Sequence, residues 1–131
     1  MNDKNLSLSD LESKIVGGGV IPVSIVNGEV KILLGKERYI NHWRGSLKWS
    51  GFEGGRKFNE NIHNTVCREF MEESLGVVNL KKTNANTLNY IDLINEIIKK
   101  KEYFMQIILC INHENGAQID KRYHITYVIE V

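Results

Sequence analysis

The sequence contains a single proline, Pro22, and two cysteines, Cys67 and Cys110, with no CxxC pairing. So few cysteines exclude a disulfide-stapled scaffold and a cysteine-rich zinc module. Both thiols sit in apolar patterns, so two buried, reduced cysteines are expected, in an intracellular, cytoplasmic protein. No apolar run approaches the roughly 18 residues needed to span a membrane. The opening stretch "MNDKNLSLSDLESK" is too polar for a signal peptide. An excess of one charge is also missing: the formal net charge is +1 over 131 residues. That balance argues against a membrane-surface protein and does not favour a partner such as RNA. Repeats, low-complexity runs and interdomain linkers are absent as well, and the length suits one domain with one core.

The chain divides into a tail or short helix over residues 1–14 and one domain over 15–131. Strands are expected over 20–26 and 30–34, joined by Asn27-Gly28, because both residues tolerate the positive φ of a tight hairpin. A glycine-rich, aromatic and basic stretch follows, with a short strand around 47–49. Residues 61–74 read as a helix with Asn59 or Asn61 as N-cap and Gly76 as its stop. A second helical pattern covers 87–104, where Leu88, Ile91, Leu93, Ile94, Ile97 and Ile98 make a broad apolar face. "MQIILCI" and "YHITYVIEV" read as strands separated by the turn-like "NHENGAQ". The class is therefore α+β.

The helix over 61–74 carries "REFMEE". At about 100° per residue, Glu73 lies about 40° and Glu72 about 60° from Glu69. Three carboxylates thus cluster beside the apolar stripe of Ile62 and Val66. Like charges one turn apart repel, and the C-terminal end of a helix disfavours anions. Alone, the cluster would destabilise the helix or raise its own pKa values. A hard divalent cation relieves it, since Mg²⁺ takes carboxylate oxygens and is commonly completed by substrate phosphate. The plainer alternative is a solvated acidic helix end.

The surrounding spacing resembles the Nudix box, G-x5-E-x7-R-E-U-x-E-E-x-G-U with U bulky and apolar. Gly54, Glu60, Arg68, Glu69, Phe70, Glu72 and Glu73 match it in type and spacing, and the upstream "ILLGKE" and "WSGFEGGR" also resemble the family. The resemblance covers about 16–131. It implies a mixed β-sheet sandwiched by helices, with the box as loop-helix-loop, and hydrolysis of a nucleoside diphosphate linked to another moiety with Mg²⁺ or Mn²⁺. Glu69 and Glu73 would be the principal metal ligands, with Glu72 ligating a further ion or assisting the nucleophilic water. Arg68 would hold a glutamate through a bidentate pair. Glu60 would brace the loop or join the metal network, and the carbonyl of Gly54 or Gly55 would complete a metal shell. Arg56, Lys57, Arg38 and Lys36 are candidates for substrate phosphates, and Trp49 or Trp43 for stacking on a base, with packing the alternative for Trp49. Three departures stand out: Leu75 delays the closing glycine to Gly76, the loop from the glycine pair to Glu60 is one residue short, and Glu53 replaces a common proline. The family usually continues with a further strand and helix; unless the helix over 87–104 covers that sheet face instead, the expectation is either a homo-oligomer through the C-terminal strand or weak hydrolysis with metal binding retained. A small nucleotide-type substrate is the leading expectation. Hydrolysis of capped RNA and a Nudix-fold nucleotide-binding module without catalysis are the alternatives.

Overall fold

The computed structural model describes residues 7–78, 80 and 90–131, with Tyr90 described by its backbone alone. The expected α+β class is present. A short helix α1 (Leu8–Leu11) and a 3-10 turn (Glu12–Lys14) precede strands β1 (Ile15–Val26), β2 (Glu29–Ile32), β3 (Gly35–Lys36), β4 (Trp49–Ser50) and β5 (Phe52–Gly55). Helices α2 (Ile62–Ser74) and α3 (Tyr90–Lys99) follow, then strands β6 (Met105–Asn115) and β7 (Gln118–Glu130). Residues 87–89 of the expected second helix, Leu88 included, lie outside the described residues.

The main sheet runs β2-β1-β7-β6, with β5 also paired to β1. Only β1 and β7 are parallel, which makes the sheet mixed. β2 pairs with residues 23–26 of β1 and β5 with residues 17–20, so the two share the edge that β7 leaves open. The hairpin at Asn27-Gly28 has φ of 53° and 78°, the two positive angles a right-twisted hairpin requires. β3 and β4 form a separate two-stranded ribbon.

One core joins both helices to the sheet. Val66 of α2 meets Ile125 of β7 where a Cβ on Gly18 would stand, and Ile94, Ile97 and Ile98 of α3 join Tyr127 and Ile129 in the same cluster. At Gly19 a Cβ would overlap the backbone of Glu53, so only glycine lets β5 cross so close to β1. Burial of these side chains supplies the main driving force, about 1.5–3 kcal/mol for each large apolar group.

Several expectations need correction. Residues 8–14 are not a free tail: Leu11 is buried, and the Glu12 carboxylate accepts the Ile62 N–H at 3.1 Å, capping α2 from outside. "NHENGAQ" is mostly strand. His113, Glu114 and Asn115 pair with Asp120, Ile119 and Gln118, and the chain reverses at Gly116, φ 65°. Backbone hydrogen bonds hold such a ribbon whatever its side chains, so polar residues extend it into solvent. The C-terminal strand is no free edge, because residues 123–128 of β7 pair with β1 on one side and β6 on the other. Val30, Ile32, Leu109 and Ile119 stay exposed on β2, β6 and β7. Cys67 is buried as expected, but Cys110 is exposed because β6 is an edge strand. Its apolar neighbours in sequence signalled strand, not burial. No helix among the described residues is long and apolar enough to cross a membrane.

Helix α2 begins at N-cap Asn61, whose side chain accepts the Asn64 N–H at 2.9 Å. It ends at Leu75, with φ 55° and ψ 23°, and Gly76 follows at φ 65°. The apparent insertion thus takes the left-handed cap position itself, where a side chain costs about 1 kcal/mol. Leu75 is exposed and has little packing to lose. Leu75→Gly should raise the urea midpoint by the equivalent of about 0.5–1 kcal/mol with an unchanged m-value. A lower midpoint would show that leucine contacts outweigh the backbone strain.

Candidate active site

Arg68 sits near the middle of α2 and is almost enclosed by acceptors. Its Nε and Nη2 donate to the two oxygens of Glu60 at 2.8 and 3.0 Å, a bidentate pair. Nη2 also donates to the Gly55 carbonyl at 2.9 Å, and Nη1 donates to Glu69 and, at 3.3 Å, to Glu72. Glu60 accepts further bonds from the Lys57 N–H at 3.1 Å and the Thr65 hydroxyl at 2.8 Å. The Arg68 guanidinium, with these donors, holds the Glu60 carboxyl down at about 2 against burial, and the pairing raises Arg68 in turn. The expected bidentate role of Arg68 has a specific partner, and that partner braces the loop between β5 and α2.

Glu69 reaches under Gly54, filling the space where a Cβ would be, so glycine is required there by close approach. Glu73 turns the other way and accepts the Glu53 N–H at 2.8 Å. Burial pushes its carboxyl up, and the charges of Glu69, Glu37 and Glu53 add to that rise against the hydrogen bond. Glu53 is itself tied to β7: its Oε2 lies 3.0 Å from His124 Nε2 and accepts the Thr126 hydroxyl at 3.0 Å. The His124 bond leads in lowering the Glu53 carboxyl. Glu53, His124, Thr126 and Glu37 were missed as site residues. The replacement of proline by Glu53 was a signal; His124 and Thr126 offered none, because the register between β1 and β7 brings them there.

The remaining candidates separate. Arg56 is bound inward to the Glu60, Glu12 and Ile15 carbonyls at 2.6, 2.5 and 3.2 Å and to the Glu12 carboxylate at 3.2 Å. The Gly55 carbonyl accepts from Arg68 Nη2, and the Gly54 carbonyl lies against Gly17 in β1. Glu60 is likewise occupied by Arg68. Lys57 and Arg38 are exposed, and Trp49 is exposed rather than packed, with the Lys36 ammonium 5.6 Å from its ring centre. Among the described residues no three acidic, histidine or cysteine side chains converge on one point. Glu69 and Glu72 face Arg68, while Glu73 faces Glu53. The donor set is nonetheless chemically suited to a hard divalent cation: oxygen ligands on one helix face, with the Glu73 carboxyl raised by burial first and by neighbouring carboxylates second.

A cavity of about 230 Å³ opens beside Glu73, bounded by Gly35, Lys36, Glu37, Ser50 and Phe52. A larger one, about 750 Å³, lies between the first turn of α2 and α3, against Glu12, Asn61, His63 and Asn95. None of the glutamates of "REFMEE" borders it, so size and chemistry disagree, and the smaller cavity is the relevant one. His63 there has a buried Nε2 without a hydrogen-bond partner among the described residues, and burial lowers its pKa.

No family model and no curated protein matches the chain. Two solved structures are similar: a C. elegans Ap4A hydrolase, at 14% identity and TM-score 0.42, and a binary complex of a C. elegans Ap4A hydrolase, at 13% and 0.43. Each alignment covers 89% of this chain and, respectively, 70% and 68% of the other. A likeness so distant carries no argument about chemistry.

The Glu60–Arg68 pair makes a pH prediction. The folded Glu60 carboxyl lies at about 2 against an ordinary 4.5, so its ionised form stabilises the fold above pH 4.5 and that contribution is lost as pH falls toward 2. Glu60→Gln should lose on the order of 2 kcal/mol at neutral pH, with the deficit closing toward pH 2. Arg68→Lys should show a similar deficit, because an ammonium cannot form the planar fork. Urea midpoints across that range decide it; a deficit independent of pH would assign the loss to packing.

Proposed function

We propose that the chain is a Nudix-type hydrolase, cleaving a diphosphate linkage in a nucleotide-derived substrate with Mg²⁺ or Mn²⁺. The observation that carries this reading is the unbalanced acidic face beside Glu73. Glu69, Glu72 and Glu73 share one helix face, and Glu73 is raised by burial and by the surrounding carboxylates. Arg68 compensates Glu69 and Glu72 but not Glu73, and a cation beside Glu73 would balance that carboxylate. The spacing of Gly54, Glu60, Arg68, Glu69, Glu72 and Glu73 supports the same reading.

In this reading Glu69, Glu72 and Glu73 would hold the cation. When bound, it neutralises diphosphate oxygens and makes a coordinated water more acidic. The protein's own work is arrangement. Arg68 keeps Glu69 and Glu72 from swinging freely, and Glu60 keeps Arg68 in plane. The Glu53 N–H orients one oxygen of Glu73 and leaves the other for ligation. Lys36, at the rim of the adjacent cavity, is placed to meet a phosphate.

Millimolar Mg²⁺ or Mn²⁺ should raise the melting temperature, since a ligand at 100 times its Kd adds about 2.7 kcal/mol to stability. Glu69→Gln and Glu73→Gln should abolish most of that rise while the apoprotein melts no lower. Turnover should fall by orders of magnitude in both, measured as phosphate release over dinucleoside polyphosphates, nucleotide sugars, nucleoside triphosphates and capped RNA. A metal-induced rise without turnover on any of these would assign the chain to nucleotide binding, and indifference to both ions would remove the cation from the reading.

A further inference from the structure

The neutral overall charge conceals a local concentration. Between Lys36 and Trp49 stand Lys36, Arg38, Arg44 and Lys48 against the single carboxylate of Glu37. That is a net three positive charges within fourteen residues, in a chain whose total is +1. The same stretch exposes three aromatic rings: Tyr39 is 68% exposed, Trp43 45% and Trp49 63%. Arg38, Arg44 and Lys48 make no ion pair with any acid among the described residues.

The lobe is built to hold these groups outward. Its base is the β3–β4 ribbon, extended by a hydrogen bond from the Glu37 N–H to the Lys48 carbonyl at 2.8 Å. Turns within it are closed by the Trp43 N–H to the Ile40 carbonyl at 3.2 Å and the Ser46 N–H to the Trp43 carbonyl at 3.1 Å. The Ser46 hydroxyl accepts the Ile40 N–H at 2.7 Å and donates to the Ile40 carbonyl at 2.5 Å. Trp43 lies so close over Gly45 that a Cβ would overlap its ring. Exposed aromatics on a hydrogen-bonded frame are not explained by folding, because burial would stabilise them more. Rings interleaved with unpaired cations match one ligand chemistry above others: stacked bases joined by phosphodiesters.

We propose that this lobe binds single-stranded nucleic acid, with bases stacking on Tyr39 and Trp49 and phosphates meeting Arg38, Arg44 and Lys48. Lys36 ties the lobe to the candidate active site, since it lies over the Trp49 ring and also borders the cavity beside Glu73. A strand held on the lobe therefore has its end within the range of the glutamate helix. The identification of the substrate as the terminal diphosphate of a polynucleotide rests on the hydrolase reading; the binding itself does not.

The test titrates the intact protein, without metal, into a 3′-labelled RNA of about 12 nucleotides, within the usual site size for such surfaces, and follows fluorescence anisotropy. Binding should weaken with salt along a log–log slope of about −2 to −3, as expected for three or four displaced counterions on a single strand. Arg38→Ala with Arg44→Ala should make that slope shallower by about 1.4. Trp49→Leu and Tyr39→Leu should each weaken binding roughly tenfold with the slope unchanged. Both rings are exposed, so the variants should fold, and circular dichroism checks that they do. Inorganic polyphosphate binding equally well to wild type and to both aromatic variants is expected, as it offers no base to stack. No binding at low salt, or RNA binding indifferent to both aromatic substitutions, would overturn the proposal. RNA binding by the wild type without phosphate release from a 5′-diphosphate-linked strand would overturn the hydrolase reading and leave the lobe standing.

Discussion

The guanidinium of Arg68 is the interaction on which the candidate site depends. It gathers Glu60, Glu69, Glu72 and the Gly55 carbonyl around one planar group. Without it, several carboxylates would face one another across a short helix and a tight loop, and the repulsion would be relieved by rotating them into solvent. With it, the loop from β5 is pinned to the middle of α2. The geometry of Glu69 and Glu72 is then settled by a cation that belongs to the protein. A partly enclosed charge of this kind contributes arrangement more than net stability, because desolvation offsets much of the attraction.

The acidic face has a second support that is independent of Arg68. Glu73 is oriented by the backbone of β5, and Glu53 on that strand is held by His124 and Thr126 of β7. The route from β7 to Glu73 passes over Gly19, where a side chain would push β5 away. A glycine in β1 thereby controls a carboxylate on α2 without touching it. The arrangement leaves Glu73 as the group least compensated by protein charge, and so the one most responsive to whatever enters the adjacent cavity.

Polar and apolar surfaces are distributed unevenly around this centre. The helices α2 and α3 bury one cluster with β1 and β7, while β2 and the outer half of the β6–β7 ribbon remain exposed. The β3–β4 lobe is built from hydrogen bonds and turns in place of a core, which is why it can present aromatic rings to solvent. Strands at the centre are held by burial, and the lobe is held by its own backbone. Its surface chemistry is free to vary with the ligand it serves.

The amino-acid sequence by itself determined what depends on local chemistry. The Asn27-Gly28 hairpin, the helix beginning at Asn61 and the clustering of Glu69, Glu72 and Glu73 follow from residue type and short-range geometry, whereas the bidentate role of Arg68 came with the resemblance to the Nudix box. Partners distant in sequence were decided only by the tertiary structure. His124 meets Glu53 across 71 positions because β1 and β7 pair in parallel at a particular register, and no spacing rule contains that register. Arg56 and Arg38 look alike as basic residues in a glycine-rich stretch; the fold turns one onto inward carbonyls and the other to solvent. Leu75 looked like an insertion because the box spacing expects the closing glycine at its position, yet the backbone places leucine itself in the left-handed conformation. Whether β7 had a free edge depended on where β6 returned. Local propensity is written in neighbouring residues, whereas pairing, register and burial arise from contacts that exist only once the chain has closed on itself.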